Sequence, residues 1–324
     1  MYEQFFGLRE RPFDLLPNPR FLYLAGRHRE AFSHLRYGLG PGRGLTLLIG
    51  EAGTGKTTLV QSALEGVDRA SIECVVVSNP TLTRNEFFEF LTTGFNLSAG
   101  AALSKTRFLF EFREHLQARH EAGLTSALIV DEAQSLPYEL LEEVRLLSNI
   151  ETATVKLLNV VLAGQPELAT RLNESQLRQL KQRISLRCEL KALDLSETAA
   201  YVAGRLRIAG GKPAEIFTRE AILAVHDTAR GLPRTVNVIC DNALIGGFAS
   251  QVKPVGRAIV EEICGDFDLR PADEPPSPEP RQEADAERLE EVAESAPVTQ
   301  PVQQQERAEA MFGTVSRKRR FSFF

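Results

Sequence analysis

Residues 50–57, GEAGTGKT, form a glycine-rich segment that ends in a lysine and a threonine. The spacing G-x-x-x-x-G-K-[ST] is that of a phosphate-binding loop, whose glycines let successive backbone N–H groups point at phosphate oxygens. We expect Lys56 to reach the β and γ phosphates of ATP and the Thr57 hydroxyl to ligate Mg²⁺. The residues predicted to contact the nucleotide and its metal are Gly50, Glu51, Ala52, Gly53, Thr54, Gly55, Lys56, Thr57, Thr58 and Asp131.

An acidic pair, Asp131 and Glu132, directly follows the apolar run ALIV at 127–130. Ligands of open α/β sheets bind at the carboxyl ends of the strands, so we expect both carboxylates beside the phosphate loop. Asp131 would hold Mg²⁺ through water, and Glu132 would orient and deprotonate an attacking water molecule. Alone, such a pair is more typical of an ordinary acidic turn. Together with residues 50–57 it predicts an ATPase that uses ATP and Mg²⁺.

Three more polar residues are candidates for sensing the nucleotide. Gln165 follows the run NVVLAG and could touch the γ-phosphate or water, although it could equally be part of a turn that starts a helix. Arg183 ends the segment LRQLKQR, and its cation could act on a neighbouring subunit as an arginine finger. Arg187 is the rival for that role, and a solvated basic face is the alternative. Arg234, in the helix-opening segment GLPR, is expected to point back at the γ-phosphate.

The elements that must position these residues alternate along residues 44–195. Apolar runs typical of buried strands occur at 45–50, 71–78, 126–131, 156–164 and 184–193. Segments with helical spacing occur at 87–95, 106–120 and 139–150. The alternation predicts an α/β fold in which helices cover both faces of a parallel sheet of five strands.

The segments on either side of this α/β domain have different patterns. Residues 196–269 show helical patterns only, beginning with Ser196 as a cap, and predict a small all-helical lid domain. Residues 1–43 contain an aromatic, proline-rich arm and a first helix. The arm's aromatic residues could cover apolar surface beside the phosphate loop, with residues 22–24 and 27–29 as candidates for the adenine pocket, but core packing is the more usual role of such residues. The aromatic residues concerned in this expectation are Phe5, Phe6, Phe13, Phe21 and Tyr23.

The composition and the two ends of the chain point to a soluble protein. The 324 residues carry a net charge of −5, which does not favour nucleic acid as a partner, although a local basic patch is compatible with it. No apolar run approaches the ~18 residues of a membrane span, and the N-terminus does not resemble a signal peptide. Residues 270–324, rich in Pro, Glu and Gln, are predicted to be disordered. Their basic-aromatic end, RKRRFSFF, could contact a membrane, bind nucleic acid or be solvated.

These motifs together resemble the AAA+ superfamily of P-loop NTPases. Four further segments resemble the ExeA-type ATPases of the general secretion pathway, a family that includes ATPases accompanying exosortase and pilus loci. They are the arm with the first helix (1–39), LAGQPEL (162–168), LKQRISLRCEL (180–190) and GLPRTVNVICDNAL (231–244). The resemblance covers about residues 1–269. It implies a homo-oligomer in the cytoplasm, in peripheral contact with the inner membrane, that serves an envelope or secretion-system protein. Secretion-type members usually continue through a membrane helix, a pattern that residues 270–324 lack, which favours reaching the envelope through a partner.

The predicted function is therefore ATP hydrolysis that energises or regulates assembly of a secretion or envelope-export system through nucleotide-dependent oligomerisation. The alternative is a DNA-associated AAA+ ATPase of the transposition-helper or initiator type, which shares the Gly-x-Pro-Arg helix. Against it, no basic stripe or winged-helix pattern follows the lid segment. A nucleotide-gated scaffold without turnover is a third hypothesis, and the presence of Glu132 and Arg183 disfavours it.

Overall fold

The computed structural model describes residues 1–16, 18–67, 70–78 and 81–267, and a sheet of five strands lies at the centre of its first part. The strands are β1 (Leu45–Gly50), β2 (Ile72–Val77), β3 (Thr125–Val130), β4 (Leu158–Gly164) and β5 (Ile184–Leu190). They lie in the order β2-β3-β4-β1-β5, and every neighbouring pair is parallel. The predicted parallel five-stranded sheet is confirmed.

The order of the strands brings distant parts of the sequence to one edge of the sheet. Strands β3, β4 and β1 are neighbours and run in the same direction, so their carboxyl ends lie side by side. The turn 50–57 follows β1, Asp131 follows β3 and Gln165 follows β4. These three segments therefore meet at the edge where ligands of open α/β sheets bind.

Helices cover both faces of the sheet, and for that reason all residues of β1 and β4 are buried. The helices are α1 (Tyr2–Phe6), α2 (Gly26–Gly38), α3 (Lys56–Glu65), α4 (Arg84–Gly94), α5 (Lys105–Glu121), α6 (Tyr138–Leu147), α7 (Pro166–Arg171) and α8 (Arg178–Lys181). One face packs against aromatic side chains of α4 and α5, including Phe87 and Phe112, and the other against Leu35 of α2 and Leu59 of α3. Burying a side chain of this size stabilises the fold by about 1.5–3 kcal/mol.

The described chain after β5 forms helices and turns, and the predicted all-helical lid is confirmed. Its helices are α9 (Leu195–Ile208), α10 (Pro213–Ile216), α11 (Arg219–Ala229), α12 (Pro233–Ala249) and α13 (Arg257–Asp266). The predicted Ser196 cap is wrong, because the N-cap of α9 is Asp194. The Asp194 carboxylate accepts from the Glu197 backbone N–H at 2.8 Å, and the Glu197 side chain accepts from the Asp194 N–H at 3.1 Å. This reciprocal pair is a capping box.

The arm, residues 1–25, packs on the lid. All of its aromatic side chains lie in or against the lid's core cluster: Tyr2, Phe5, Phe6, Phe13, Phe21 and Tyr23. For these residues the structure shows plain core packing, one of the two interpretations that the sequence allowed. A domain as small as the lid has little apolar area to bury by itself, so the aromatic residues of the arm complete its core.

A buried arginine of α9 fastens the arm to the lid. Arg205 is only 7% exposed, and its Nε donates to the Pro12 carbonyl at 2.6 Å. Its guanidinium carbon lies 5.0 Å from the centre of the Phe21 ring, and its Nη1 donates to the Tyr201 hydroxyl. A buried charge is tolerated only when its donors are satisfied in this way, so Arg205 fixes the course of the arm.

The predicted tail, residues 270–324, lies outside the described residues. Among the helices of the described part, none combines the length and the apolar character that crossing a bilayer requires. The four cysteines, Cys74, Cys188, Cys240 and Cys264, are free thiols.

Candidate active site

Residues 50–57, called the turn below, comprise the last residue of β1, the connecting loop and the first two residues of α3, which is the predicted strand–turn–helix context. Gly53 and Gly55 have φ angles of 82° and 96°, which glycine adopts readily and other residues rarely do. No side chain caps the first turn of α3. The free N–H groups there and the positive end of the helix dipole make this turn suited to an anion.

Lys56 lies inside the turn and is 4% exposed. Its Nζ donates to the Gly50 carbonyl at 2.8 Å and to the Glu51 carbonyl at 3.1 Å. Burial lowers the pKa of Lys56, and the negative charges of Glu132 and Asp131 oppose that shift. The ammonium is thus held at the centre of the turn by two neutral carbonyls, which a phosphate could replace with a charged partner.

The other side chains of the turn differ in their surroundings. Glu51 and Ala52 are exposed at its tip, and Thr58 is half-buried in α3. Thr54 is fully buried, and its hydroxyl donates to the Glu51 carbonyl at 2.8 Å. Thr54 therefore stiffens the turn through its side chain, and any contact it makes with a ligand would come from its backbone.

A histidine within residues 27–29, which were candidates for the adenine pocket, instead supports the turn. His28, on α2, is buried, and its Nε2 lies 3.0 Å from the Thr54 carbonyl. The contact links α2 to the loop that precedes α3. A lone histidine on a helix carries no spacing signal, so this contact could not be found from the sequence.

The acidic pair lies opposite the turn. Asp131 is 7% exposed, and its Oδ2 accepts from the Thr57 hydroxyl at 2.6 Å, while its Oδ1 accepts from the Glu132 backbone N–H at 2.9 Å. Glu132 has a φ angle of 52°, in the left-handed region that a non-glycine residue adopts at an energetic cost. The strand end thus brings both acids to the turn, with Glu132 in a strained conformation of the kind that clusters at active sites.

The oxygens of Thr57 and Asp131 fit a magnesium site. Mg²⁺ binds oxygen ligands, usually one or two from the protein beside waters and substrate phosphates. A hydroxyl and a carboxylate that already touch across the mouth of the turn provide such a donor pair. The described residues contain no cluster of three or more His, Cys, Asp or Glu side chains suited to a metal, so binding would depend on phosphate oxygens as well.

Two side-chain amides converge on the Glu132 carboxylate. Gln165 donates to its Oε2 at 3.2 Å, and Gln134 donates to the same oxygen at 2.6 Å. No motif in the sequence indicated Gln134. Burial would raise the pKa of Glu132, but these hydrogen bonds and the charge of Lys56 lower it overall. Glu132 is therefore an ionised carboxylate near neutral pH.

The lid touches the turn through Arg234. The first turn of α12 brings its backbone N–H to the Gly53 carbonyl at 3.1 Å, and a Cβ on Gly53 would lie 3.0 Å from the Arg234 Cβ. Nearby, Gly231 receives the Leu193 N–H on its carbonyl at 2.9 Å, and a Cβ on Gly231 would come within 1.9 Å of the Leu193 carbonyl oxygen. Glycine at 231 thus permits the close approach of the lid to the segment that leads into it.

Arg183 is not part of this group of residues. It is exposed just before β5, where Ile184 pairs with Leu45, whereas the turn follows Gly50, which pairs with Leu190. With a rise of about 3.3 Å per residue, Arg183 lies roughly 20 Å from the turn of its own chain. Arg187 is exposed in the middle of the same strand.

Comparisons with known proteins agree with a nucleotide site at this turn. A family described as AAA domain matches residues 41–172, which include the turn, the acidic pair and Gln165. General secretion pathway protein A of Aeromonas hydrophila is 46% identical over 254 residues, or 77% of this chain. The chain belongs to the ExeA-like family of AAA+ ATPases. It spans 45% of the length of that curated relative.

Solved structures of ORC proteins have a fold similar to that of this chain. The Aeropyrum pernix ORC2 protein in its ADP form superposes with a TM-score of 0.59 at 16% identity, covering 79% of this chain and 72% of that one. A chain of Drosophila ORC bound to DNA superposes with a TM-score of 0.60 at 21% identity, covering 80% and 65%. At such identities the likeness is one of fold and does not favour DNA as a partner.

Proposed function

We propose that this chain binds ATP with Mg²⁺ in the turn 50–57 and hydrolyses it. The observation that carries the proposal is the meeting of Lys56, the Thr57–Asp131 pair and Glu132 around one turn, with the first N–H groups of α3 uncapped. A positive helix end, a buried ammonium and an ionised carboxylate on one cleft are what phosphoryl transfer to water requires.

Each residue has a distinct part in that reaction. Lys56 would exchange its two carbonyl partners for phosphate oxygens and stabilise the charge that develops on them. Glu132 would accept a proton from the attacking water, because its carboxylate is ionised and only part-buried. Thr57 and Asp131 would hold Mg²⁺, which when bound neutralises phosphate charge.

Movement of the lid would follow from the contact between Arg234 and the turn. The Arg234 backbone already bonds to Gly53, so its side chain starts beside the place proposed for the phosphates. A guanidinium pairs strongly with phosphate oxygens, and losing the γ-phosphate would weaken that pairing. The angle between lid and sheet would then depend on the nucleotide, with Gln165 reporting the same change to Glu132.

The position of Arg183 supports an oligomer. An arginine roughly 20 Å from its own turn cannot reach a phosphate there, but being exposed it can enter the site of a neighbouring copy. We propose Arg183 as the arginine finger, with Arg187 as the rival, in a homo-oligomer that forms when nucleotide is bound.

The similarity to general secretion pathway protein A supports a role associated with secretion. General secretion pathway protein A is the name of a protein of which this chain spans 45%. We propose that the chain energises or regulates assembly of a secretion or envelope-export system and acts through an envelope protein partner. Peripheral contact with the inner membrane belongs to the same proposal.

Steady-state phosphate release tests the reaction. A Glu132→Gln variant is expected to bind a non-hydrolysable ATP analogue within about threefold of the wild-type affinity but to release phosphate about a hundredfold more slowly or worse, as expected on losing a general base. Glu114→Gln, which alters an exposed glutamate of α5, should behave as wild type. Unchanged turnover in Glu132→Gln would remove Glu132 from its role, and a wild-type protein that releases no phosphate would contradict the ATPase proposal.

A further inference from the structure

Gln134 lies between Glu132, which follows β3, and Gln165, which follows β4. It belongs to the 3₁₀ turn Ala133–Ser135 that follows the acidic pair. Its side-chain Nε2 donates to Glu132 Oε2 at 2.6 Å, and its Oε1 accepts from the Gln165 backbone N–H at 3.0 Å. One amide therefore joins the residue after β4 to the glutamate after β3.

The two carboxylate oxygens of Glu132 accept different numbers of hydrogen bonds. The amides of Gln134 and Gln165 both donate to Oε2. Within the described part of the chain, no donor is recorded on Oε1. With Oε2 occupied by two donors, Oε1 is the oxygen left to accept a proton from water, and the carboxylate cannot rotate freely without losing both bonds.

The surroundings of Gln134 fix its amide in this place. The backbone carbonyl of Gln134 accepts from Arg171 Nη1, and the Arg171 guanidinium carbon lies 4.6 Å from the centre of the Tyr138 ring. On the other side, a Cβ on Gly164 would lie 3.0 Å from Gln134 Oε1 and 2.8 Å from a methyl of Leu168. The absence of a side chain at 164 thus leaves the room that the amide occupies, and α7 holds the turn from outside.

We propose that Gln134 is a positioning residue for hydrolysis, which orients the Glu132 carboxylate and ties it to Gln165. The inference rests on the proposed function, because Glu132 must be the base for its orientation to matter. Gln134 itself need not touch the substrate. Its amide makes the glutamate and the residue at the end of β4 move as a unit, so a ligand that displaces Gln165 also changes the hydrogen bonds on the base.

The test uses two variants that keep the length of the side chain. Gln134→Met removes the donor, and Gln134→Glu replaces it with a second carboxylate. Gln176→Met, at an exposed glutamine, is the matched control. The measurements are kcat for phosphate release between pH 4 and 9, a range that reaches the acid limb set by Glu132, and the affinity for a non-hydrolysable ATP analogue.

Gln134→Met is expected to lower kcat at pH 7 by about tenfold or more, since a general base contributes 10²–10⁴-fold and needs its geometry. Analogue affinity should stay within about twofold. Donors favour the ionised carboxylate, so their loss raises its pKa, and the acid limb of the pH profile should move to higher pH. Gln134→Glu should lose more kcat at pH 6 than at pH 9, because a second carboxylate beside Glu132 raises the pKa of that base.

Three results would overturn the inference. Unchanged kcat and pH profile in both variants would show that the amide is dispensable. A loss of kcat with the acid limb in place and an equal loss of analogue affinity would show a purely structural role. A wild-type protein without phosphate release would overturn the proposed function and this inference with it, whereas normal wild-type turnover beside unaffected variants overturns the role of Gln134 alone.

Discussion

Lys56 is the charged residue most completely enclosed by the turn that we propose as the phosphate site. Among the described residues its ammonium donates to two backbone carbonyls, which carry no net charge, so the turn holds a cation that an anion could pair with. Removing one partner of a buried charge pair costs 2–5 kcal/mol or more. At about 1.4 kcal/mol for each tenfold change in affinity, that is a large change in binding.

Lys56→Ala is therefore expected to weaken ATP binding by about thirtyfold or more, measured by titration with a fluorescent ATP analogue. Lys181→Ala, which removes an exposed lysine bonded to Asn173, is the control and should bind normally. High-affinity ATP binding retained by Lys56→Ala would rule out the turn as the phosphate site.

The residues of the site divide into those that a sequence can predict and those that it cannot. Lys56, Thr57 and Glu132 are tied by short fixed spacings to a strand end, so the local sequence alone predicts their neighbourhood. His28 meets the Thr54 carbonyl across 26 positions, and Gln165 meets Gln134 across 31. Such contacts depend on strand order, which local spacing does not contain.

At the scale of elements, the strands were predictable because buried parallel strands are almost wholly apolar. The runs at 45–50 and 126–131 coincide with β1 and β3 to within one residue. The start of α9 could not be predicted in this way, because Asp194 and Ser196 are both good cap residues and lie two positions apart. The extended backbone of Asp194, with ψ at 177°, places its carboxylate under the Glu197 N–H.

Asp194→Ala is expected to lower the free energy of unfolding by about 1 kcal/mol at pH 7, the usual cost of losing a cap. Burial raises the pKa of Asp194, but hydrogen bonds from the Glu197 and Ser196 backbones and the Ser196 hydroxyl outweigh it, so the folded-state pKa is low. The stabilisation is therefore complete above the ordinary aspartate pKa of about 3.9 and is lost as the pH falls through the lower folded value.

Urea unfolding of wild type and variant at pH 7, and again as the pH is lowered below about 4, checks this prediction. Ser196→Ala is the comparison, because it removes only a hydrogen bond that Ser196 donates to Asp194, and it should cost less than half as much. A Ser196→Ala variant that is the less stable of the two would restore Ser196 as the cap.

On the scale of the whole molecule, the aromatic content of the arm predicted that it packs, but not on what. Phe13 and Phe21 have no period or motif that names their partner. The partner is chosen by Arg205, 193 positions away from the Pro12 carbonyl to which it donates, and by the unfilled core of the lid. Non-local choices of this kind follow from the volume and charge of the folded domains.

The assembly of several copies is tested by mixing variants. Arg183→Ala leaves the turn of its own chain intact but removes the proposed finger, so its phosphate release should fall by about 10³-fold. Adding Lys56→Ala protein, inactive itself but carrying Arg183, is expected to restore part of that activity. Arg178→Ala, at a nearby exposed cation, should be nearly normal. Failure to recover activity at every mixing ratio would contradict a finger acting between copies.

The arm's attachment to the lid sets an order of events during synthesis. The Tyr2 hydroxyl donates to Asp241, 239 positions later. At about 5–20 residues per second, the arm emerges from the ribosome on the order of ten to fifty seconds before that helix exists. Throughout this interval the lid core that buries Phe6, Phe13 and Phe21 is incomplete. The nascent chain therefore exposes an apolar segment while the strands that follow it are being made. We therefore expect chaperones to bind the nascent chain at this segment.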